Sequence, residues 1–373
     1  MHIPFCLRKC LYCDFYSEGC DDAELRKAYT EALLGEIAHY GHKYGKALKA
    51  DTIFFGGGTP SLMEPELIDS IIKALRKAFT VSDNAEITME CNPATLTADK
   101  LMGYRAAGVN RLSIGSQSFD DEVLAALGRI HKASDIEDTV KAARAAGFDN
   151  ISLDLMFAVP KQGMDKWRES LEKALSLHPE HLSFYSLEIA EGTPFGKMYQ
   201  AGTLEETPIE EDRRMYHYAL DRIEEAGYVH YEISNACLPG REARHNLKYW
   251  NLSDYLGLGP SAHSYIGGER HSNAANLAEY IKVGGVGCIE ESYINDLDDD
   301  AVEYTFTALR TKDGVSFENF RDKFGQEFWE FHASAKKEFE GFVQGGYAIE
   351  DDKHIALTRK GIDISNKIMA LFV

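Results

Sequence analysis

Cys6, Cys10 and Cys13 crowd the segment "HIPFCLRKCLYCDF", with three and then two residues between them. Thiolates at so close a spacing suit a soft metal centre, zinc or an iron–sulfur cluster. A structural zinc site asks for four ligands, usually as two separated pairs. A fully ligated iron–sulfur cluster also asks for four cysteines. Here Asp14 and Phe15 follow the third cysteine, and no matching second pair exists. Three ligands around a four-iron cluster would leave one iron open to a small molecule. The other cysteines, Cys20, Cys91, Cys237 and Cys288, are scattered singly and make a total of 7. That odd count is a poor disulfide framework, so a reducing compartment and metal ligation are expected.

A second set of polar side chains recurs on segments that read as strands. Thr88 and Glu90 share one side of "AEITMECNP", opposite Ile87 and Met89. Ser113, Gly115 and Gln117 oppose Leu112 and Ile114, and Ser152 and Asp154 oppose Ile151, Leu153 and Leu155. A parallel sheet covered on both faces would be apolar on both. One face of small and polar residues implies instead an interior that holds a polar ligand. Glu90, Gln117 and Asp154 fall near the C-terminal strand ends, where barrel enzymes build their sites.

The elements that position these groups follow in series. Between residues 28 and 235, apolar runs such as "DTIFFGGG", "NRLSIGSQS", "DNISLDLMFAVP" and "EHLSFYSLEI" alternate with helical patterns such as "PELIDSIIKALRKAF" and "MDKWRESLEKALSL". Serial strand–helix units predict a parallel sheet with right-handed crossovers. Counting a leading strand before the cysteines, six units fit, short of a full eight-unit barrel. The expected fold is α/β, an incomplete (β/α)6 barrel over 1–235. A connecting region over 236–295 carries "HNLKYW" and a glycine-rich stretch. A smaller α+β, winged-helix-like domain over 296–373 shows helical patterns and a hairpin turning at Asp351–Asp352.

The net charge of −20 argues against a nucleic-acid or anionic-membrane partner. From Asp299 onward 14 acidic residues face 10 basic ones, so the winged-helix-like tail is expected to pack or to bind protein rather than DNA. No apolar stretch is long enough for a transmembrane helix, and no signal pattern opens the chain. A cytoplasmic protein that is not an integral membrane protein is expected.

The "CLRKCLYC" spacing, followed by an aromatic residue, resembles the signature of radical S-adenosylmethionine (SAM) enzymes. Together with "GGGTPSL", "EITMECNP", "RLSIGSQSF", "LGRIH", "YEISN" and "HNLKYW", it resembles the coproporphyrinogen-oxidase-like branch. Within that branch it is most similar to the HemW-like haem chaperones. The resemblance spans essentially the whole chain. It implies that Cys6, Cys10 and Cys13 ligate a [4Fe–4S] cluster whose open iron chelates SAM, with Tyr12 beside the adenine. Gly57, Gly58 and Thr59 would lie near the methionine moiety. Glu90, Gln117 and Asp154 would hydrogen-bond the nucleoside and methionine parts, and Arg129 would meet the methionine carboxylate through its guanidinium fork. His245 of "HNLKYW" is the implied haem contact, histidine being a common axial ligand and aromatics packing on porphyrin faces. His263 and His271 are weaker candidates. The implied partners are haem, a haem-recipient protein and a flavodoxin- or ferredoxin-like electron donor, with no nucleic acid.

Three departures bear on that resemblance. The family carries a tyrosine two residues before "HIPFC", and here Met1 stands one residue too late. A misassigned start or a truncated chain, with a weaker cofactor site, would follow. Ala158 and Val159 replace a more usual Gly-Leu pair, with a local backbone change expected because Asp154 is retained. Phe15 stands where the oxidases resemble Cys-x3-Cys-x2-Cys-x-Cys. The haem chaperone is therefore the favoured reading. An oxygen-independent coproporphyrinogen III oxidase is the alternative, and a zinc-stabilised barrel is a third.

Overall fold

The computed structural model describes residues 1–19 and 22–373, so Cys20 lies outside the described residues. The chain divides into two compact units, one of residues 1–227, 257–263 and 272–291, the other of 228–256, 264–271 and 292–373. Residues 236–295, expected as a separate connecting region, are thus distributed between both units.

Six strands form the run of parallel neighbours in the first unit: β1 (His2–Ile3), β2 (Lys49–Gly57), β3 (Thr80–Cys91), β4 (Arg111–Gln117), β5 (Ile151–Phe157) and β6 (His181–Ser186). Each pairs in parallel with the next in sequence order. Helices α1 (Ala23–Tyr44), α2 (Pro65–Ala78), α3 (Ala98–Ala107), α4 (Ala133–Ala145) and α5 (Met164–Ser176) make the crossovers, and α6 (Ile209–Glu225) follows β6. This is the (β/α)6 arrangement of an incomplete barrel. Local chemistry sets the helix limits. The Asp22 side chain caps α1 by accepting from the Glu24 and Leu25 N–H groups, and Pro65 opens α2 where no N–H is needed. Helix α2 buries Ile68, Ile71, Ile72 and Leu75, one stripe at helical spacing.

Strand alternation divides the sheet as the sequence suggests. Ile87, Met89, Leu112, Ile114, Ile151, Leu153 and Leu155 form a buried apolar face, and the alternate positions carry the polar groups. Burying each such aliphatic side chain contributes about 1.5–3 kcal/mol, so the register is strongly specified and places the polar set on the other face.

In the second unit, β7 (Val229–Glu232) and β8 (Asn235–Cys237) form an antiparallel pair, followed by α7 (Arg244–Trp250). Then come α8 (Leu297–Ala308), β9 (Val315–Ser316), α9 (Phe317–Phe324), α10 (Lys336–Gln344), β10 (Ala348–Glu350) and β11 (His354–Leu357). The last three strands pair antiparallel in the order β9, β11, β10. Asp351 closes the β10–β11 turn by accepting from the Lys353 and His354 N–H groups. Phe320, Phe328, Phe339, Phe372 and Tyr304 form its core, in a helical, winged-helix-like arrangement. Among the described residues no helix is long and apolar enough to cross a membrane.

At the end of β5, Ala158 adopts φ +56°, a left-handed conformation that glycine takes without penalty and alanine does not. Ala158→Gly should therefore raise stability by about 0.5–1 kcal/mol, the relief of strain less the entropy of a new glycine. Urea unfolding reads this directly. A lower midpoint would show that the Ala158 methyl packs well enough to outweigh the strain.

Candidate functional site

The loops at the C-terminal strand ends are strapped to one another by main-chain hydrogen bonds. Gly58 N–H donates to Ile3 O at 2.8 Å, and Thr59 N–H donates to Phe5 O at 2.7 Å. Those bonds extend the β1–β2 pairing into the "GGGTP" turn. A Cβ on Gly58 would stand 2.7 Å from Phe5 O, and Gly57 sits at φ +106° with the His2 ring against it. Both positions need glycine because a second main chain or a ring occupies the side-chain space. Leu11 N–H donates to Leu127 O and Phe195 N–H to Leu11 O, both at 3.0 Å, tying the cysteine loop to two further loops.

On that loop Cys6 is buried, while Cys10 and Cys13 are half-buried, and all three thiols are free. Cys6 Sγ lies 3.5 Å from Thr59 Oγ1. Arg129 reaches the loop from the other side. Its Nη1 donates to Cys10 Sγ at 3.5 Å, its Nη2 to Gly115 O at 2.6 Å, and its Nε is buried without a hydrogen-bond partner. The Tyr12 phenol, pushed upward by burial, lies near both Arg129 and Cys10. Burial also pushes the Cys13 thiol up to about 11, so a proton leaves only when a cation takes its place.

Deeper in the first unit, the polar strand face forms a connected network. In register, Glu90 neighbours Ser113, Ser113 neighbours Ser152, and Asp154 neighbours Ser183. Asp154 accepts from Ser113 Oγ at 3.0 Å and from Ser152 Oγ at 3.3 Å. Glu90 accepts from Gly57 N–H at 3.1 Å. Burial, then the Asp154 charge, pushes Glu90 up to about 7, and burial pushes Asp154 up to about 6. Gln117 is buried at φ +61°, where the β4–β5 register breaks, and its Oε1 accepts from the Tyr185 hydroxyl at 3.0 Å. Strain of that kind persists only where the surroundings hold it.

Thus Cys6, Cys10, Cys13, Tyr12, Gly57, Gly58, Thr59, Glu90, Gln117, Arg129 and Asp154 all lie in the first unit. His245 lies in the second unit, on α7, where its Nε2 is 2.9 Å from Tyr249 Oη. His263 is exposed and His271 buried. Phe15 is 63% exposed. Arg111, His181 and Tyr185 were not singled out from the sequence, yet they share the polar face. Arg111 is 2% exposed and pairs in register with Thr88. His181 donates to or accepts from Ser152 Oγ at 2.8 Å. The signal was present, since His181, Ser183 and Tyr185 alternate with Leu182 and Phe184 as the other strands do.

Fold and loop chemistry together define a radical SAM protein, and the family comparisons agree. The radical SAM superfamily model matches residues 1–174, and the HemN C-terminal domain model matches 295–364. The heme chaperone HemW of Bacillus subtilis is 36% identical, covering 100% of this chain and 98% of that protein. The heme chaperone HemW of Haemophilus influenzae is 32% identical, covering 100% of this chain and 97% of that protein. Among solved structures, coproporphyrinogen III oxidase (HemN) from Escherichia coli superposes with a TM-score of 0.87 at 24% identity, covering 100% of this chain and 88% of that one. The chain belongs to the HemW family.

Superfamily membership implies a [4Fe–4S] cluster and SAM, and the residues fit both. Cys13 feels the charges of Cys10 and Cys6, yet among the described residues no three such side chains converge on a single metal ion. Thiolates that bind separate irons of one cluster need not converge on a single ion. The orphaned Arg129 Nε and the two half-buried carboxylates are likewise suited to a ligand carrying both charges.

The carboxylate pair makes a testable mark on pH dependence. Both folded-state values lie above the ordinary carboxylate range of about 4, so the folded chain retains protons that the unfolded chain releases. Their stabilising contribution is full below about pH 4 and is lost as pH rises through about 6 and about 7. In protein prepared without cluster, Asp154→Asn should flatten the fall in urea midpoint between about pH 4 and pH 7. An unaltered slope would show that Asp154 is ionised throughout that range.

Proposed function

We propose that this chain is a haem chaperone, holding haem and passing it to a recipient protein, with a [4Fe–4S] cluster and SAM in the first unit. The observation that carries this is the full-length likeness to relatives named heme chaperone in a chain that retains "HNLKYW" and has Phe15 in place of a fourth cysteine. When bound, the cluster supplies an open iron and a source of single electrons.

The chain's own residues would do the rest. Cys6, Cys10 and Cys13 would hold three irons, and Arg129, with Nε free, would pair with the methionine carboxylate in a charge-assisted fork. Glu90 and Asp154 would accept from the ammonium and ribose groups of SAM, a cation and polar donors that favour the ionised carboxylates. The main chain at Gly57 and Gly58 would let the methionine moiety approach closely, beside the Thr59 hydroxyl. Gln117, oriented by Tyr185, would bond the nucleoside, and Tyr12 would lie along the adenine. His245 would offer an imidazole nitrogen to haem iron, with Tyr249 at its side. A flavodoxin- or ferredoxin-like donor would reduce the cluster, and the cytoplasm is the expected setting.

Anaerobic reconstitution should give a brown cluster absorbance that Cys10→Ala abolishes; retained zinc and no absorbance would favour a zinc-stabilised barrel. His245→Ala should weaken haem binding about tenfold or more, at least 1.4 kcal/mol, in a spectroscopic titration. Incubation with coproporphyrinogen III, SAM and reductant should yield no protoporphyrinogen. Its formation would establish the oxidase reading instead.

A further inference from the structure

Helix α7 carries His245 and is short. It is 7 residues long, and Ala243 at its N-cap offers no side-chain hydrogen bond. Helices this short do not persist in water without outside contacts. The structure shows such a contact at the last residue. The Arg310 guanidinium lies 4.5 Å over the Trp250 ring. The same guanidinium stands beside Glu232, with Nη2 3.7 Å from Oε2.

Glu232 is 1% exposed. Its Oε1 accepts from the Asn235 amide and the Ser234 N–H, whereas its Oε2 has no hydrogen-bond partner. The Arg310 charge is therefore the compensation for that second oxygen, and an uncompensated buried carboxylate is costly. Arg310 is itself fixed by its main chain. Ile233 N–H donates to Arg310 O at 3.1 Å, and Lys312 N–H donates to Tyr231 O at 2.9 Å. The Tyr231 hydroxyl in turn accepts from Ala243 N–H at 3.3 Å, at the start of α7.

The geometry divides α7 into two faces. Trp250 stands five residues after His245, roughly 140° around the helix. His245 and Tyr249, four apart, share the other side. Arg310 holds the Trp250 side, while on the His245 side the Tyr249 ring lies edge-on to Tyr255, centroids 4.8 Å apart.

We infer that Arg310 is a positioning residue for His245: stacked on Trp250 and paired with buried Glu232, it anchors α7 so that the imidazole is held for haem. This rests on the reading of His245 as the haem contact. Haem titration followed through the Soret band tests it on the full chain. Arg310→Met together with Glu232→Gln removes the anchor and the buried charge at once, so the fold is expected to survive, as far-UV circular dichroism and the urea midpoint will show. Affinity should fall about 10- to 100-fold, as for the loss of groups that orient a ligand, and the Soret maximum should move to that of His245→Ala. Arg310→Lys keeps the charge beside Glu232 but loses the flat face over the indole, and should lie between. Cluster iron content should be unchanged in all variants. Native affinity and a native Soret band in either folded Arg310 variant would overturn the inference. A titration unaltered by His245→Ala would overturn the haem reading, and this inference with it.

Discussion

Two half-buried carboxylates on the inner side of a parallel sheet constrain most of the first unit. Glu90 and Asp154 could not sit there uncompensated. The compensation is spread over neighbouring strands: the Ser113 and Ser152 hydroxyls on Asp154, the Gly57 N–H on Glu90, and the Arg111 charge acting on both. Each donor occupies an alternate strand position, so the inner face must be small or polar wherever the outer face is apolar. Leu112, Ile114, Leu153 and Leu155, all 0% exposed, hold that outer face and so fix the register on which the inner network depends.

The cysteine loop depends on the same frame at one remove. Its main chain is bonded to Leu127 and Phe195, and Arg129 spans from Cys10 to Gly115 of β4. A guanidinium held between a loop thiol and a strand carbonyl couples the cysteine loop to the strand bearing Gln117. The second unit solves a related problem with different chemistry. Its core is aromatic, and one buried carboxylate, Glu232, is balanced by a stacked arginine rather than by hydroxyls.

Strand order, crossover helices and the polar face were legible because strand and helix periods differ, and a residue's neighbours two positions away share its side of the sheet. Glu90, Gln117 and Asp154 could be assigned to one face on that ground alone. Arg111 and Tyr185 obeyed the same alternation, but a long basic or aromatic side chain at a strand position reads equally well as a solvated rim. Only the burial of Arg111 and the Tyr185 hydrogen bond to Gln117 remove that ambiguity. The helical run from Phe317 to Val343 was legible as helix but not as separate segments, because its breaks depend on caps such as Gly325 at φ +69°.

By itself, then, the sequence determined the three-thiol loop, the six strand–helix units and the alternation that sets polar groups inward, since these depend on spacing along the chain. The tertiary structure alone decided which groups meet across it. Arg129 on Cys10, Tyr185 on Gln117, Arg310 between Glu232 and Trp250, and the distribution of residues 236–295 between two units all join positions far apart in sequence. Such pairings follow from register and packing of whole elements, and no local pattern encodes them.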